Sequence, residues 1–140
     1  MAMAAQVLGD RWTLLIIREL FYGVGCFEDI RADLEIPSAT LQKRLNALSD
    51  AGILMRKTYR APGERNRQGY VLTETGKALA PVVLALRQWG DDTLRDDSPL
   101  TDLIDLRTGK PLRLAIIDSD GKEVDLASAH LKKREGQSDD

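Results

Sequence analysis

Residues 38–50, Ser38-Ala39-Thr40-Leu41-Gln42-Lys43-Arg44-Leu45-Asn46-Ala47-Leu48-Ser49-Asp50, decide the fold. Leu41, Leu45 and Leu48 recur at the spacing that places three side chains on one face of an α-helix. Nearly everything else in the segment is polar. A helix with a narrow apolar anchor and a broad polar face sits on a surface and shows that face to something wet. Ser38 is read as its N-cap, with a hydroxyl able to accept orphan backbone N–H groups. Ala51-Gly52 ends it, Gly52 being suited to a left-handed cap.

Upstream, Phe27–Leu34 forms a second, short helix carrying Phe27, Ile30 and Leu34 on one side, and Pro37 closes the turn that follows, because the residue before a proline is pushed out of the α region. Ala4–Phe21 reads as one long first helix with Leu8, Trp12, Leu15, Ile16 and Leu20 on a stripe, broken by Gly23-Val24-Gly25. Downstream, Ile53–Arg60 alternates loosely as a strand, Ala61–Gly69 is an exposed loop, and Tyr70-Val71-Leu72 is a returning strand, together a β-hairpin with a basic tip. Thr73 caps a long final helix from Glu74 to about Arg95, in which Pro81 imposes a kink or interruption. Beyond a linker at Asp96-Asp97-Ser98-Pro99, Leu112–Ile117 and Lys122–Leu126 flank the turn signal Asp118-Ser119-Asp120-Gly121 as a small hairpin. No internal repeat is expected.

The expected fold is thus mainly α (α+β): a winged helix-turn-helix with long N- and C-terminal dimerisation helices and a small C-terminal β-hairpin extension. The expected divisions are 1–95 for the winged helix-turn-helix, 96–130 for the extension and 131–140 for a disordered tail poor in apolar residues. The first and last helices carry more apolar surface than a small monomer hides, which favours a homodimer.

Composition narrows the function. The chain has 140 residues, 43% hydrophobic and 30% charged, the balance of one soluble domain. One cysteine excludes an internal disulfide, and a lone His130 excludes two-His metal motifs and a Ser-His-Asp or Cys-His pair built around a core histidine. Asp102, Asp105 and Asp118 have no companion base, phosphate loop or metal-ligand spacing, so no catalytic residue, cofactor or metal is expected. There is neither a membrane-length apolar run nor a basic-then-apolar leader, and a cytoplasmic location is expected.

The net charge of −2 conceals a segregation. Between Ser38 and Gly69 stand seven basic residues and two acidic ones; from Asp91 onward stand thirteen acids and eight bases. A local basic patch is the electrostatic footprint of nucleic acid. An α-helix fits the major groove of DNA, where Gln pairs with adenine and Arg or Lys with guanine, while hydroxyls and helix-start N–H groups suit phosphate. The candidate DNA-binding residues are therefore Ser38, Ala39, Thr40, Gln42, Lys43 and Arg44 on the helix, and Arg65, Asn66 and Arg67 at the hairpin tip, where cations favour a minor groove. Arg56, Lys57 and Arg60 are further candidates for phosphate. The alternatives are an ordinary solvated charged face, or a winged-helix interaction module without DNA binding.

These residues also carry a family resemblance. Leu8-Gly9-Asp10-Arg11-Trp12-Thr13-Leu14-Leu15-Ile16-Ile17-Arg18-Glu19-Leu20 resembles the opening of HxlR-type winged-helix transcription regulators, as do Phe27-Glu28-Asp29-Ile30, Leu41-Gln42-Lys43-Arg44-Leu45, Ala51-Gly52-Ile53-Leu54 and Tyr70-Val71-Leu72-Thr73-Glu74-Thr75-Gly76. The likeness ends near Trp89-Gly90. It implies a homodimer built from the first and last helices, binding an inverted repeat in promoters, more often as repressor than activator. It also implies a response to an electrophile, an oxidant or a small metabolite. The family's redox-sensing cysteine would fall just upstream of Met1. Cys26, the only thiol, stands where the family more often has a basic residue. It reads either as a small half-buried hydrophobe or as a redox sensor whose thiolate a cation such as Arg31 would favour.

Overall fold

The computed structural model describes residues 1–59, 67–99 and 101–132. Its elements are α1 (Ala2–Leu8), α2 (Arg11–Phe21), α3 (Phe27–Leu34), α4 (Ser38–Asp50), β1 (Leu54–Tyr59), β2 (Arg67–Leu72), α5 (Glu74–Lys77) and α6 (Ala80–Thr93), followed by a 3₁₀ turn at Leu126–Ser128. Two compact units result, Met1–Trp89 and Gly90–Asp140.

The first unit is built on apolar stripes. Ile16, Ile17 and Leu20 of α2, Ile30 of α3, Leu41, Leu45 and Leu48 of α4, and Ile53, Leu54 and Tyr70 from the hairpin form one buried cluster, with Ile36 driven into it from the α3–α4 turn. Those helices therefore hold together by burial of a shared face, at about 1.5–3 kcal/mol per fully buried large side chain. The strands β1 and β2 pair antiparallel, with Leu54 opposite Leu72 and Tyr59 opposite Arg67.

Several sequence expectations need correction. The single helix over Ala4–Phe21 is two helices. Gly9 ends α1, and Asp10 adopts an extended backbone and caps α2, its carboxylate accepting from the backbone N–H groups of Trp12 and Thr13 at 3.0 and 3.3 Å. A carboxylate at a helix start satisfies orphan donors and meets the positive end of the dipole, which outweighs the apolar periodicity running through it. Ser38 is not the cap of α4. Pro37 takes that place with φ −59° and ψ 135°, and the first helical bond runs from the Leu41 N–H to the Pro37 carbonyl at 2.9 Å. The final helix is interrupted where Pro81 demanded it, leaving the single turn of α5 and then α6, in whose first turn the missing proline N–H is harmless. β2 begins three residues earlier than the sequence suggested, so Arg67 opens a strand instead of crowning the tip.

The Thr-Glu-Thr-Gly block has a clear physical role. The Thr73 hydroxyl donates to the Gly52 carbonyl at 2.6 Å and accepts from the Gly76 N–H at 3.1 Å. Any Cβ on Gly76 would stand 2.1 Å from the Ile53 carbonyl oxygen. Only glycine allows α5 to lie this close to the turn that leads from α4 into β1.

The second unit contains no long element. One hairpin was expected; two tight turns of one design are present. In the first, the Asp105 N–H donates to the Lys110 carbonyl at 2.9 Å and Gly109 has φ 67°; in the second, the Asp118 N–H donates to the Lys122 carbonyl at 2.9 Å and Gly121 has φ 79°. Each is closed by one isolated bridge, Ile104 to Pro111 and Ile117 to Glu123, and Arg113 pairs with Glu123 between them. Ile104-Asp105…Gly109-Lys110 and Ile117-Asp118…Gly121-Lys122 are thus a short tandem motif that composition alone did not reveal. The expected tail lies, beyond Lys132, outside the described residues.

Candidate nucleic-acid interface

The α3–turn–α4 pair is compact because of its corner. Glu35 takes a left-handed conformation, φ 50° and ψ 34°, and Ile36 is buried behind it. With Leu41, Leu45 and Leu48 inward, helical geometry turns Ala39, Lys43, Asn46 and Asp50 outward, and all four are exposed. Ser38 is exposed too, whereas Thr40, Gln42 and Arg44 are half-buried on the flanks. The first turn carries no acidic residue, and its N–H groups precede the first helical bond, an arrangement suited to a phosphate oxygen.

The predicted contacts are not equivalent. Lys43 is exposed and has no partner among the described residues. Gln42 donates from Nε2 to Asn46 Oδ1 at 2.9 Å, one helical turn apart. That bond orients the Gln42 amide and adds Asn46 to the outward face, a residue the sequence list omitted although its spacing from Gln42 was legible. Arg44 turns away: its Nη2 donates to Asp10 Oδ2 at 2.9 Å, and its Nε is buried without a partner among the described residues.

On the hairpin, Arg56 and Lys57 are exposed. Arg56 has no partner among the described residues, and Lys57 Nζ lies 5.6 Å from the centre of the Tyr59 ring. Arg65 and Asn66 lie outside the described residues, and of Arg67 only the backbone is described. The hairpin base is firmly seated. The Tyr70 N–H donates to the Gly25 carbonyl at 2.8 Å, Cys26 bridges to Gly69, and the Tyr59 hydroxyl donates to the Tyr70 carbonyl at 3.4 Å. Cys26 is half-buried at the cap position of α3, with no side-chain capping bond. Arg31, the cation considered for its activation, is committed to Glu28 at 2.9 Å. An open cavity of about 280 Å³ adjoins the base of the hairpin, lined by Leu20, Phe21, Tyr59, Tyr70, Leu72 and Lys77 among others.

Among the described residues no cluster of three or more His, Cys, Asp or Glu could hold a metal ion, and no helix is long and apolar enough to cross a membrane.

Comparison with known proteins places this geometry. An HTH-type transcriptional regulator of Mycobacterium tuberculosis is 42% identical over 97 residues, which cover 69% of this chain and 60% of the relative. The chain thus spans about 60% of the length of the curated mycobacterial relatives it matches. Among solved structures, the candidate transcription factor PA1607 superposes with a TM-score of 0.78 at 29% identity, over 93% of this chain and 91% of that one. The redox regulator HypR in its reduced form gives a TM-score of 0.58 at 25% identity, over 66% of this chain and 91% of HypR. The HxlR-like helix-turn-helix family model matches residues 7–98, and the chain belongs to that family.

Proposed function

We propose that the protein is a sequence-specific transcriptional regulator that binds an inverted-repeat operator as a homodimer and acts as a repressor. The observation that carries the reading is the outward face of α4, where exposed Lys43, the paired amides of Gln42 and Asn46 and an acid-free helix start stand on a rigid three-leucine anchor. Those groups match the donor and acceptor code of the major groove and the phosphates beside it. Support for a dimer comes from α1 and α6, neither of which has a buried residue, while Met3, Val7, Val82, Leu86 and Trp89 are exposed. A second copy is the simplest cover for such helices and places two recognition helices about 34–36 Å apart, or a multiple of that, on the duplex.

An oxidant, electrophile or small metabolite completes the reading as the signal. Cys26 joins α3 to the hairpin base, so a modified thiol there would disturb the seating of the wing, and the cavity beside Tyr59 and Tyr70 is a place for a metabolite. The test is a gel-shift titration against the DNA upstream of the protein's own gene, at low and moderate salt, with unrelated competitor and with or without a mild oxidant. A discrete shift that survives competitor supports the reading. Affinity for a matched site that ignores salt would refute it and favour an interaction module without DNA binding. Full oxidant response in Cys26→Ser would remove the thiol from the scheme.

A further inference from the structure

We propose that Arg44 is a positioning residue and not a base contact: Asp10 and Arg44 form a latch that ties the start of α2 to α4 and fixes how the recognition helix is presented. The inference rests on the DNA-binding reading above. One carboxylate does two jobs. Its Oδ1 accepts from the N–H groups of Trp12 and Thr13, and its Oδ2 accepts from Arg44 across a sequence separation of 34 residues. Both side chains are about one-third exposed, Arg44 at 32% and Asp10 at 31%, so the pair is shielded from the full screening of bulk water.

The chemistry of the guanidinium supports the assignment. Reading guanine requires two parallel N–H donors of arginine aimed at O6 and N7. Nη2 is held by Asp10 and Nε is buried, so no edge of Arg44 that includes either nitrogen faces outward while the latch is closed. Lys43, one position earlier and exposed, carries the outward charge instead. The latch also sits beside Gly9, where α1 ends. A residue at that junction links the α1 arm, the α2 start and α4, so the angle of α4 relative to a partner bound through α1 depends on it.

The experiment uses Asp10→Asn, Arg44→Gln, the double variant and Arg44→Lys in the full chain. Asparagine still offers an oxygen to cap α2 but lacks the charge that meets its dipole, so the latch itself is read from the non-additivity of the double variant. Melting curves establish folding: each single variant should melt about 2–5 °C lower, and the double variant no lower than either. Against a matched operator, each should lose about fivefold in affinity, the scale of one partly exposed ion pair. The slope of affinity against salt should stay at the wild-type value, base preference at every operator position should be kept, and Arg44→Lys should recover most of the loss. Wild-type affinity in Asp10→Asn would overturn the proposal. So would a salt slope reduced by about one unit in Arg44→Gln together with lost preference at one base pair, the signature of a direct contact. If the wild-type chain gives no specific shift, the DNA-binding reading fails by itself; additive melting losses would then overturn the latch as well, and non-additive losses would support it as a feature of the fold.

Discussion

Gly69→Ala tests the seating of the wing. A Cβ built on Gly69 would stand 2.4 Å from Cε2 and 2.8 Å from Cδ2 of Tyr59, and 3.0 Å from the Gly25 carbonyl oxygen. Carbon atoms in contact sit about 3.5–4.0 Å apart, so the ring must retreat by about 1 Å. Retreat strains the 3.4 Å bond from the Tyr59 hydroxyl to the Tyr70 carbonyl and the Lys57 contact with the ring. Inserting a methyl into a packed site costs about 1–3 kcal/mol, and the weak polar contacts add a few tenths; the expected loss is about 2 kcal/mol. For a cooperative unit of this size that lowers the melting midpoint by roughly 6–12 °C. The control is the same substitution on a Tyr59→Ala background. There the ring is gone and the 3.0 Å approach to the Gly25 carbonyl oxygen remains, so most but not all of the penalty should vanish. Thermal unfolding followed by circular dichroism of all four proteins measures the interaction. An equal penalty with and without the Tyr59 ring, or a loss under about 0.5 kcal/mol in the wild-type background, would show that ring contact is not why glycine occupies this position.

Other consequences are simpler to state. Glu35→Gly should stabilise by about 0.5–1 kcal/mol, because glycine adopts a left-handed helix cap without a Cβ penalty; an unchanged or lower midpoint counts against strain at that corner. Lys43→Ala should leave melting unchanged yet weaken operator binding, and its deficit relative to wild type should shrink if two phosphate-range cations per dimer are lost, by about twelvefold between about 50 and 200 mM salt. A parallel salt dependence would mean Lys43 does not meet DNA. The N–H of Arg107 donates to Asp105 and holds its carboxyl below the usual carboxylate range. A depressed folded-state value means the turn is fully supported above about pH 4 and loses that support as pH falls through the lower value, so the protection of the amides of residues 105–110, each exchange rate being compared with the intrinsic rate at the same pH, should be flat from neutrality to about pH 5 and fall only in stronger acid.

What was legible in the sequence was whatever depends on nearest neighbours along the chain. The leucine spacing of 41, 45 and 48 located α4, with its cap one residue earlier than expected, and Phe27–Leu34 coincides with α3, because period and burial agree there. Where two local signals compete, periodicity misled. Apolar residues run with helical spacing through Gly9-Asp10, but a glycine close against the Ala5 carbonyl and a capping carboxylate end one helix and start another. The tandem turns of the second unit were half seen, since Asp118–Gly121 carries an obvious turn signal and Asp105–Gly109, one residue longer, disguises the same bond pattern.

The candidate site shows the same division, and it bears on how charged helices are read. A count of cations between residues 38 and 69 marks a basic stretch but assigns every member the same task. In the folded unit their tasks separate according to acids and rings brought in from elsewhere: Asp10 claims Arg44, and the Tyr59 ring attracts Lys57, while Lys43 and Arg56 keep no described partner. A cation that already holds a carboxylate has its charge partly neutralised and some of its donors occupied, and so offers a phosphate less than an unpaired one at equal exposure. Local charge therefore points to a surface, whereas a partner 34 positions away sets two adjacent residues of that surface apart: Arg44 is held by Asp10 and Lys43 is exposed.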